Sequence, residues 1–402
     1  MRLRSKALAV AIAGAMLMTA GCGGSQESQA AGAASTEPFT VHALLALSGN
    51  FAAIGQAMAQ GAQAAVDVIN ANGGVFGQPM KLEVVDTTSV PTEAVAKAQQ
   101  LVSEGKVKAL IPGTASNEIS AVVPVVGPRD VLVIHHGAGI SQEFLDTKKY
   151  PRVFGTVFQP PDQAESLAAE FAAKGFRKVA VVSTDNVAGH AAVKAYENAF
   201  TAKGISLTPT FVPDNAVDAT AQMQQAVDSS PDVLLLDTYG AVTGPVLQAR
   251  TKLGVTIPTY GSQYVTANNL DKLVSPSDLD GITLQALAVG VKDSNVAQTD
   301  AFKTFHEAVT DVTGGQLTFT MNTYLTGYND VVLAANAARL AGSADANAMA
   351  KAIENVSAQD LPFWVGPTDF SAERHIPTFG PEFWSFVPYG PTQNGLLVPR
   401  QQ

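Results

Sequence analysis

What most constrains this chain is a strict alternation of short β-branched runs with longer stretches of helical period, most of the latter closed by glycine. Residues 41–47 read as a strand. Ile54, Met58, Ala62, Ala65, Val66 and Ile69 then recur at three- and four-residue spacing, which puts one apolar stripe on a helix. Asn72-Gly73-Gly74 ends it, because glycine adopts the left-handed conformation of a helix C-cap without steric cost. A strand at 81–85, a helix at 92–104, a strand at 107–111, a helix at 116–126 and a strand at 131–134 continue the pattern. It restarts beyond residue 160, with helices at 163–174, 191–203, 219–228 and 242–253 and strands at 179–183 and 233–236. Such alternation predicts parallel sheets with helices on both faces, and two successive runs predict two doubly wound, Rossmann-like α/β lobes. Further helices are expected at 297–312, 322–340 and 344–357, and residues 361–390, rich in Pro, Gly and aromatics, read as short strands and turns.

The 402 residues suit two domains. A net charge of −10 argues against nucleic acid as a partner, since phosphates call for Lys and Arg. The N-terminus reads as processing rather than fold. Arg2, Arg4 and Lys6 precede an apolar stretch at 7–18 that is too short to span a bilayer, and Thr19-Ala20-Gly21 lead into Cys22. Residues 1–21 are expected to be a signal peptide. Cys22 is the only cysteine, and its placement resembles a bacterial lipobox, departing at Thr19 where leucine is usual. The expectation is a lipid on Cys22 holding the protein at the outer face of the plasma membrane; the alternative is secretion with a free N-terminal Cys. Residues 22–37, small, polar and acidic, would form a flexible linker on the order of 20 Å in reach.

Residues 131–141, VLVIHHGAGIS, raise the question of chemistry. A metal site needs three or four suitably spaced ligands. His135 and His136 are adjacent and would point opposite ways, and His42, His190, His306 and His375 are scattered without HExxH or HxH spacing. No GxSxG elbow and no P-loop occurs, and Gly137-Ala138-Gly139 lacks the third glycine of a dinucleotide fingerprint. Neither metal, cofactor nor enzymatic activity is expected. Pro112-Gly113-Thr114-Ala115-Ser116-Asn117 follows a strand and opens a helix. Its polar side chains can cap that helix, or its unpaired backbone N–H groups and a hydroxyl can receive a carboxylate.

The stretch from Ser48 to Asp86, SGNFAAIGQAMAQGAQAAVDVINANGGVFGQPMKLEVVD, resembles the opening of branched-chain amino-acid-type solute-binding proteins of ABC transporters. The likeness is carried by Ser48-Gly49, Gly55, Gly61-Ala62, Ile69-Asn70, Gly73-Gly74, Gly77 and Asp86, and more loosely by Gln248-Ala249-Arg250, Tyr328-Asn329-Asp330-Val331 and Val365-Gly366-Pro367. It implies a type I periplasmic binding fold, with residues 38–157 plus 286–364 as lobe 1 and 158–285 plus 365–402 as lobe 2. Three crossovers, near 156–158, 284–288 and 363–370, would join the lobes. It also implies hinge closure on a small solute, delivery to a membrane permease and a monomeric state. A ligand sensor of the same fold is the alternative, and a secreted enzyme a more distant one.

The resemblance places the ligand among Ile54, Thr114, Ala115, Ser116, His136, Gly137, Gly139, Ala188, Tyr239 and Gln263, with His136 touching solute and His135 buried, its ring bonded to backbone. Three positions depart from the family. Gly139 stands where a threonine is usual, Gln263 where an acidic residue pairs with the ligand ammonium, and Ala188 where an aromatic is common. The carboxylate half of the site is thus kept through Ser116 and the ammonium half is weakened. The expected solute is a small acid or amide without a free ammonium, with an apolar or aromatic body near Ile54 and Tyr239. Asp185 and Asp237 are the residues that would otherwise restore the missing charge.

Overall fold

A computed structural model describes residues 38–400 apart from Gly139 and Asn269. The expected signal peptide, Cys22 and the linker, like Gly139, lie outside the described residues.

The first lobe runs β1 (Thr40–Leu45), α1 (Ala52–Ala71), β2 (Lys81–Asp86), α2 (Pro91–Ser103), β3 (Ala109–Ile111), α3 (Ser116–Val126), β4 (Leu132–His135) and β5 (Val153–Gly155). Its strands form one parallel sheet in the order β2-β1-β3-β4-β5. The chain then crosses to α4 (Pro160–Lys174), β6 (Lys178–Thr184), α5 (Val187–Ala202), β7 (Ser206–Val212), α6 (Thr220–Asp228), β8 (Val233–Asp237), α7 (Thr243–Lys252) and β9 (Thr259–Gly261). The short α8 (Gln263–Thr266) and α9 (Leu270–Leu273) and strand β10 (Ile282–Leu287) complete this run. It returns through α10 (Asp300–Thr313), α11 (Met321–Ala341) and α12 (Ala346–Ile353), and ends on β11 (Trp384–Pro388), an antiparallel edge strand beside β10. The second sheet is ordered β11-β10-β9-β8-β6-β7.

Both sheets reverse strand order beside their first strand, at β1/β3 and at β6/β8. Ligands of open α/β sheets bind at such switch points, outside the carboxyl ends of the strands. The alternation read from sequence is therefore the fold. Strand β7 escaped it because Pro209 interrupts the run; as an edge strand pairing only with β6, β7 tolerates a residue that cannot donate to a further neighbour.

One boundary differs from the expected one. The sequence places residues from 365 onward in the second lobe. Val365, Phe370 and Phe379 instead pack in the same core as α1 and α11, and the chain joins the second sheet only at Trp384. The aromatic-rich segment is held by the first lobe's apolar surface, for example Phe370 against Phe154 and Trp364.

Helix α11 is buried along most of its length and packs against α1 at backbone distance. A methyl group added at Gly61 would sit 1.9 Å from the Tyr324 carbonyl oxygen, and one at Gly327 would sit 2.0 Å from that of Met58. Both are main-chain clashes that only separation of the helices can relieve. Gly61→Ala and Gly327→Ala should each destabilise the protein by about 1–3 kcal/mol in denaturant titrations; an unchanged midpoint for either would show that the helices are not in backbone contact.

Candidate functional site

The two switch points face one cleft, whose empty space, including its mouth, is about 980 Å³. The first lobe contributes the start of α3, the loop after β4, and Phe51 and Met58 from the start of α1. The second contributes the loops after β6, β8 and β9, and the N-terminal turns of α11 form a further wall. Among the described residues no Lys or Arg lines it.

The junction between β3 and α3 is held by Glu118. This buried carboxylate accepts the amides of Thr114 (3.0 Å) and Ala115 (3.2 Å) and the hydroxyl of Thr87 (2.5 Å). Thr114 Oγ1 accepts the amide of Ala46 at 2.7 Å, tying the junction to the end of β1. The amides of Ser116 and Asn117, the first two residues of α3, have no acceptor among the described residues. They carry the partial positive charge of a helix N-terminus, which would favour a negative group placed there. The Ser116 hydroxyl itself donates to the Ala138 carbonyl at 2.9 Å. Tyr264 of the second lobe donates to the same oxygen at 3.2 Å, so the two lobes meet there.

The histidines divide the work. His135 is buried and neutral: its Nδ1 accepts the Gly137 amide at 3.2 Å, and burial, with His136 beside it, pulls its pKa down to about 3. His136 lines the cleft, but both its ring nitrogens are engaged elsewhere. Nε2 donates to the Thr114 carbonyl at 3.2 Å and Nδ1 to Asp330 Oδ2 at 2.5 Å. Asp330 also accepts the Thr156 hydroxyl at 2.6 Å. A ring facing two acceptors carries two protons. Burial works against that charge, but the Asp330 carboxylate more than offsets it and raises the pKa of His136. His136 thus lines the cleft with its nitrogens engaged, and it fixes the loop after β4 to α11 and to the α3 junction.

Gln263 is equally constrained. Its Oε1 accepts the Leu287 amide at 2.6 Å, so only its NH₂ remains to face the cleft. A donor suits a carboxylate, carbonyl or hydroxyl and repels an ammonium. Asp237 also lines the cleft. It is buried and accepts hydrogen bonds from Tyr196 (2.6 Å), Ser183 (3.0 Å) and, more weakly, Gln163 (3.5 Å). Burial raises its pKa against those donors, and among the described residues no basic side chain pairs with it. Asp185 is exposed and bound to His190 at 2.7 Å.

Of the residues singled out from sequence, Thr114, Ala115, Ser116, His136, Ala188, Tyr239 and Gln263 line the cleft. Ile54 does not; it points into the first lobe's core, and Phe51 and Met58 reach the cleft instead. Gly137 is likewise behind the wall, its amide on His135 and its carbonyl accepting from Gln159 at 3.3 Å, and Ala138 takes its place. Sequence reasoning missed Phe158, Tyr264, Asn322, Thr323 and Thr326, which come from a crossover, a four-residue helix and α11. The aromatic walls are connected: Phe51 stacks on Tyr239 across the cleft at 6.3 Å, and Tyr264 meets both Tyr239 and Phe158.

A family model described as periplasmic binding protein matches residues 38–380, and the chain belongs to that family. Its fold is that of the type I, branched-chain amino-acid-type members. A Leu/Ile/Val-binding protein of Rhizobium johnstonii is 29% identical over 169 residues, 42% of this chain and 45% of that one, so the chain spans about half the length of the curated relatives it matches. A solute-binding protein of an R. palustris ABC transporter, solved with 4-hydroxybenzoate, is 20% identical and superposes with a TM-score of 0.72 over 91% of this chain and 96% of its own. The branched-chain amino acid transporter substrate-binding protein of Streptococcus pneumoniae, solved with isoleucine, is 20% identical with a TM-score of 0.73, covering 90% and 98%.

The raised pKa of His136 fixes the sign of a pH effect. A folded-state value above about 6.5 means that the pair with Asp330 contributes fully below that pH and is lost as pH rises through the raised value. The melting-temperature gap between the wild type and His136→Gln should therefore narrow as pH rises above about 6.5. A gap that is constant across that range would show the ring to be neutral throughout.

Proposed function

We propose that this protein is a lipid-anchored, extracytoplasmic solute-binding protein that closes on a small carboxylate with an apolar or aromatic body and delivers it to an ABC importer. The observation that carries the reading is the set of free donors in the cleft: the Ser116 and Asn117 amides and the Gln263 NH₂, with no Lys or Arg among the lining residues. These groups complement an anion without presenting a full positive charge. The rings of Phe51, Tyr239, Tyr264 and Phe158 offer surfaces for a flat or branched apolar body. The ligands named for the similar structures, 4-hydroxybenzoate and isoleucine, bracket the choice between an acid without an amine and an amino acid.

A second reading, an α-amino acid, is favoured by one observation. Asp237 is a buried carboxylate at the cleft without a basic partner, and an ammonium placed there would complete its charge balance. Its hydrogen-bonding capacity is already largely taken by Tyr196 and Ser183, which is why the acid is preferred.

A thermal-shift panel separates the two. Saturation at about 100 times Kd stabilises by about 2.7 kcal/mol. Benzoate and 4-hydroxybenzoate should raise the melting temperature and leucine and isoleucine should not; the reverse pattern would establish the amino-acid reading. The anion site has its own test in Ser116→Pro. Proline is tolerated at the first position of a helix, and Ala115 already has the extended conformation that precedes proline, so the substitution keeps α3 while removing one N–H and the hydroxyl that donates to Ala138, the latter being controlled for by Ser116→Ala. Affinity for the acid should fall by about 1.5–3 kcal/mol, the scale of a hydrogen bond to a charged group. Unaltered affinity in a folded variant would mean that the carboxylate binds elsewhere. Small-angle scattering of the full chain should show a smaller radius with ligand than without; identical radii would exclude closure.

A further inference from the structure

Behind the cleft lies a second cavity with about 430 Å³ of empty space, set between two crossovers and α11. Val157, Leu287, Asn322 and Thr326 line both spaces, so the cleft and the rear cavity are separated only by a shared wall. The rest of the rear cavity is largely apolar, including Val289, Phe379 and Phe383.

Asn322 stands out in that wall. It is 5% exposed, and neither its Nδ2 nor its Oδ1 has a hydrogen-bond partner among the described residues. Leaving a buried amide unpaired costs about 1–3 kcal/mol. Its place is nevertheless built. Gly290, whose backbone does not require glycine, lies against it, and a methyl there would come within 2.7 Å of Nδ2 and 2.9 Å of Oδ1. The missing side chain at Gly290 is what gives the amide its room. Thr323, next along α11, is by contrast satisfied by the Ala267 carbonyl at 2.9 Å.

We infer that Asn322 is a specificity-determining residue that reads a neutral polar group, a hydroxyl able both to donate and to accept, at the end of the solute remote from its carboxylate. An amide offers one donor and one acceptor side by side, and a hydroxyl matches both. A purely hydrocarbon end would shut Oδ1 and Nδ2 away from water without a partner in a closed cleft, which disfavours such ligands. This inference rests on the carboxylate reading of the cleft and refines it from apolar acids to hydroxylated ones.

The test is calorimetric titration of the full chain with two matched pairs, benzoate against 4-hydroxybenzoate and phenylacetate against 4-hydroxyphenylacetate. The wild type should bind the hydroxylated member of at least one pair about tenfold or more tightly. In Asn322→Leu that preference should collapse, while the parent acid binds as tightly as before or more so. A merely structural role would weaken both members equally. Gly290→Ala keeps the asparagine and only displaces its amide, so it should also erode the preference, and it carries the test should Asn322→Leu fail to fold. Equal binding within both pairs by the wild type, or a preference that survives in both variants, would overturn the assignment while leaving the carboxylate reading intact. Binding of none of the four acids would overturn both.

Discussion

The contact on which the rest of the structure depends is the approach of α1 and α11 at backbone distance, through Gly61 and Gly327. A helix entering the first lobe from late in the chain could pack against it in many registers. Main chain against main chain, with no side chain between, leaves little freedom to slide. That register sets Asn322, Thr323 and Thr326 against the cleft and, one to two turns further, presents Asn329 and Asp330 to the crossovers. One face of one helix thus supplies a wall of the candidate site and the anchor of the hinge region. Close packing of this kind transmits position well because it is not continuously deformable.

A second consequence follows from what the cleft lacks. Helix N-termini and neutral amides stabilise an anion by fixed dipoles rather than by a mobile cation. An Arg or Lys would hold a carboxylate more strongly but would have to be desolvated as the cleft closes. On the proposed carboxylate reading, dipole binding would combine recognition with release. It also makes the geometry of the β3–α3 junction decisive, which explains why Glu118 and the charged His136 are both placed to hold that junction rather than to meet ligand.

The fold was largely legible because its signals are local. Helix α3 occupies the residues that periodicity and the preceding Pro-Gly turn assign to it, and the capping glycines after α1, α2 and α4 all take positive φ. Strand β9, three residues long, carries no period to detect. The site was legible where it coincides with strand ends, as at Thr114, Ser116, Tyr239 and Gln263. It was not legible where partners are distant. His136 looks like a ligand-facing residue until Asp330, 194 positions later, is seen to hold its Nδ1. Gln263 looks like a hydrogen-bond acceptor until Leu287 is seen to occupy its oxygen. Asn322 sits in a helix that is buried on nearly every side, so no amphipathic stripe distinguishes a core position from one facing a cavity.

The hydrogen bonds at the crossovers link the cleft to the segments that join the lobes. Adjacent residues of α11 hold the first crossover and the segment that follows α12: Asp330 binds the Thr156 hydroxyl, and Asn329 pairs its amide with both the carbonyl and the amide of Val365. The second crossover is held from the other side, by Gln263 on the Leu287 amide and Thr266 on the Gln285 carbonyl. Gln263 therefore both lines the cleft and holds a crossover. A solute that engages its NH₂ restrains the side chain whose oxygen fixes the second crossover, so contact in the cleft and the angle between the lobes share one side chain.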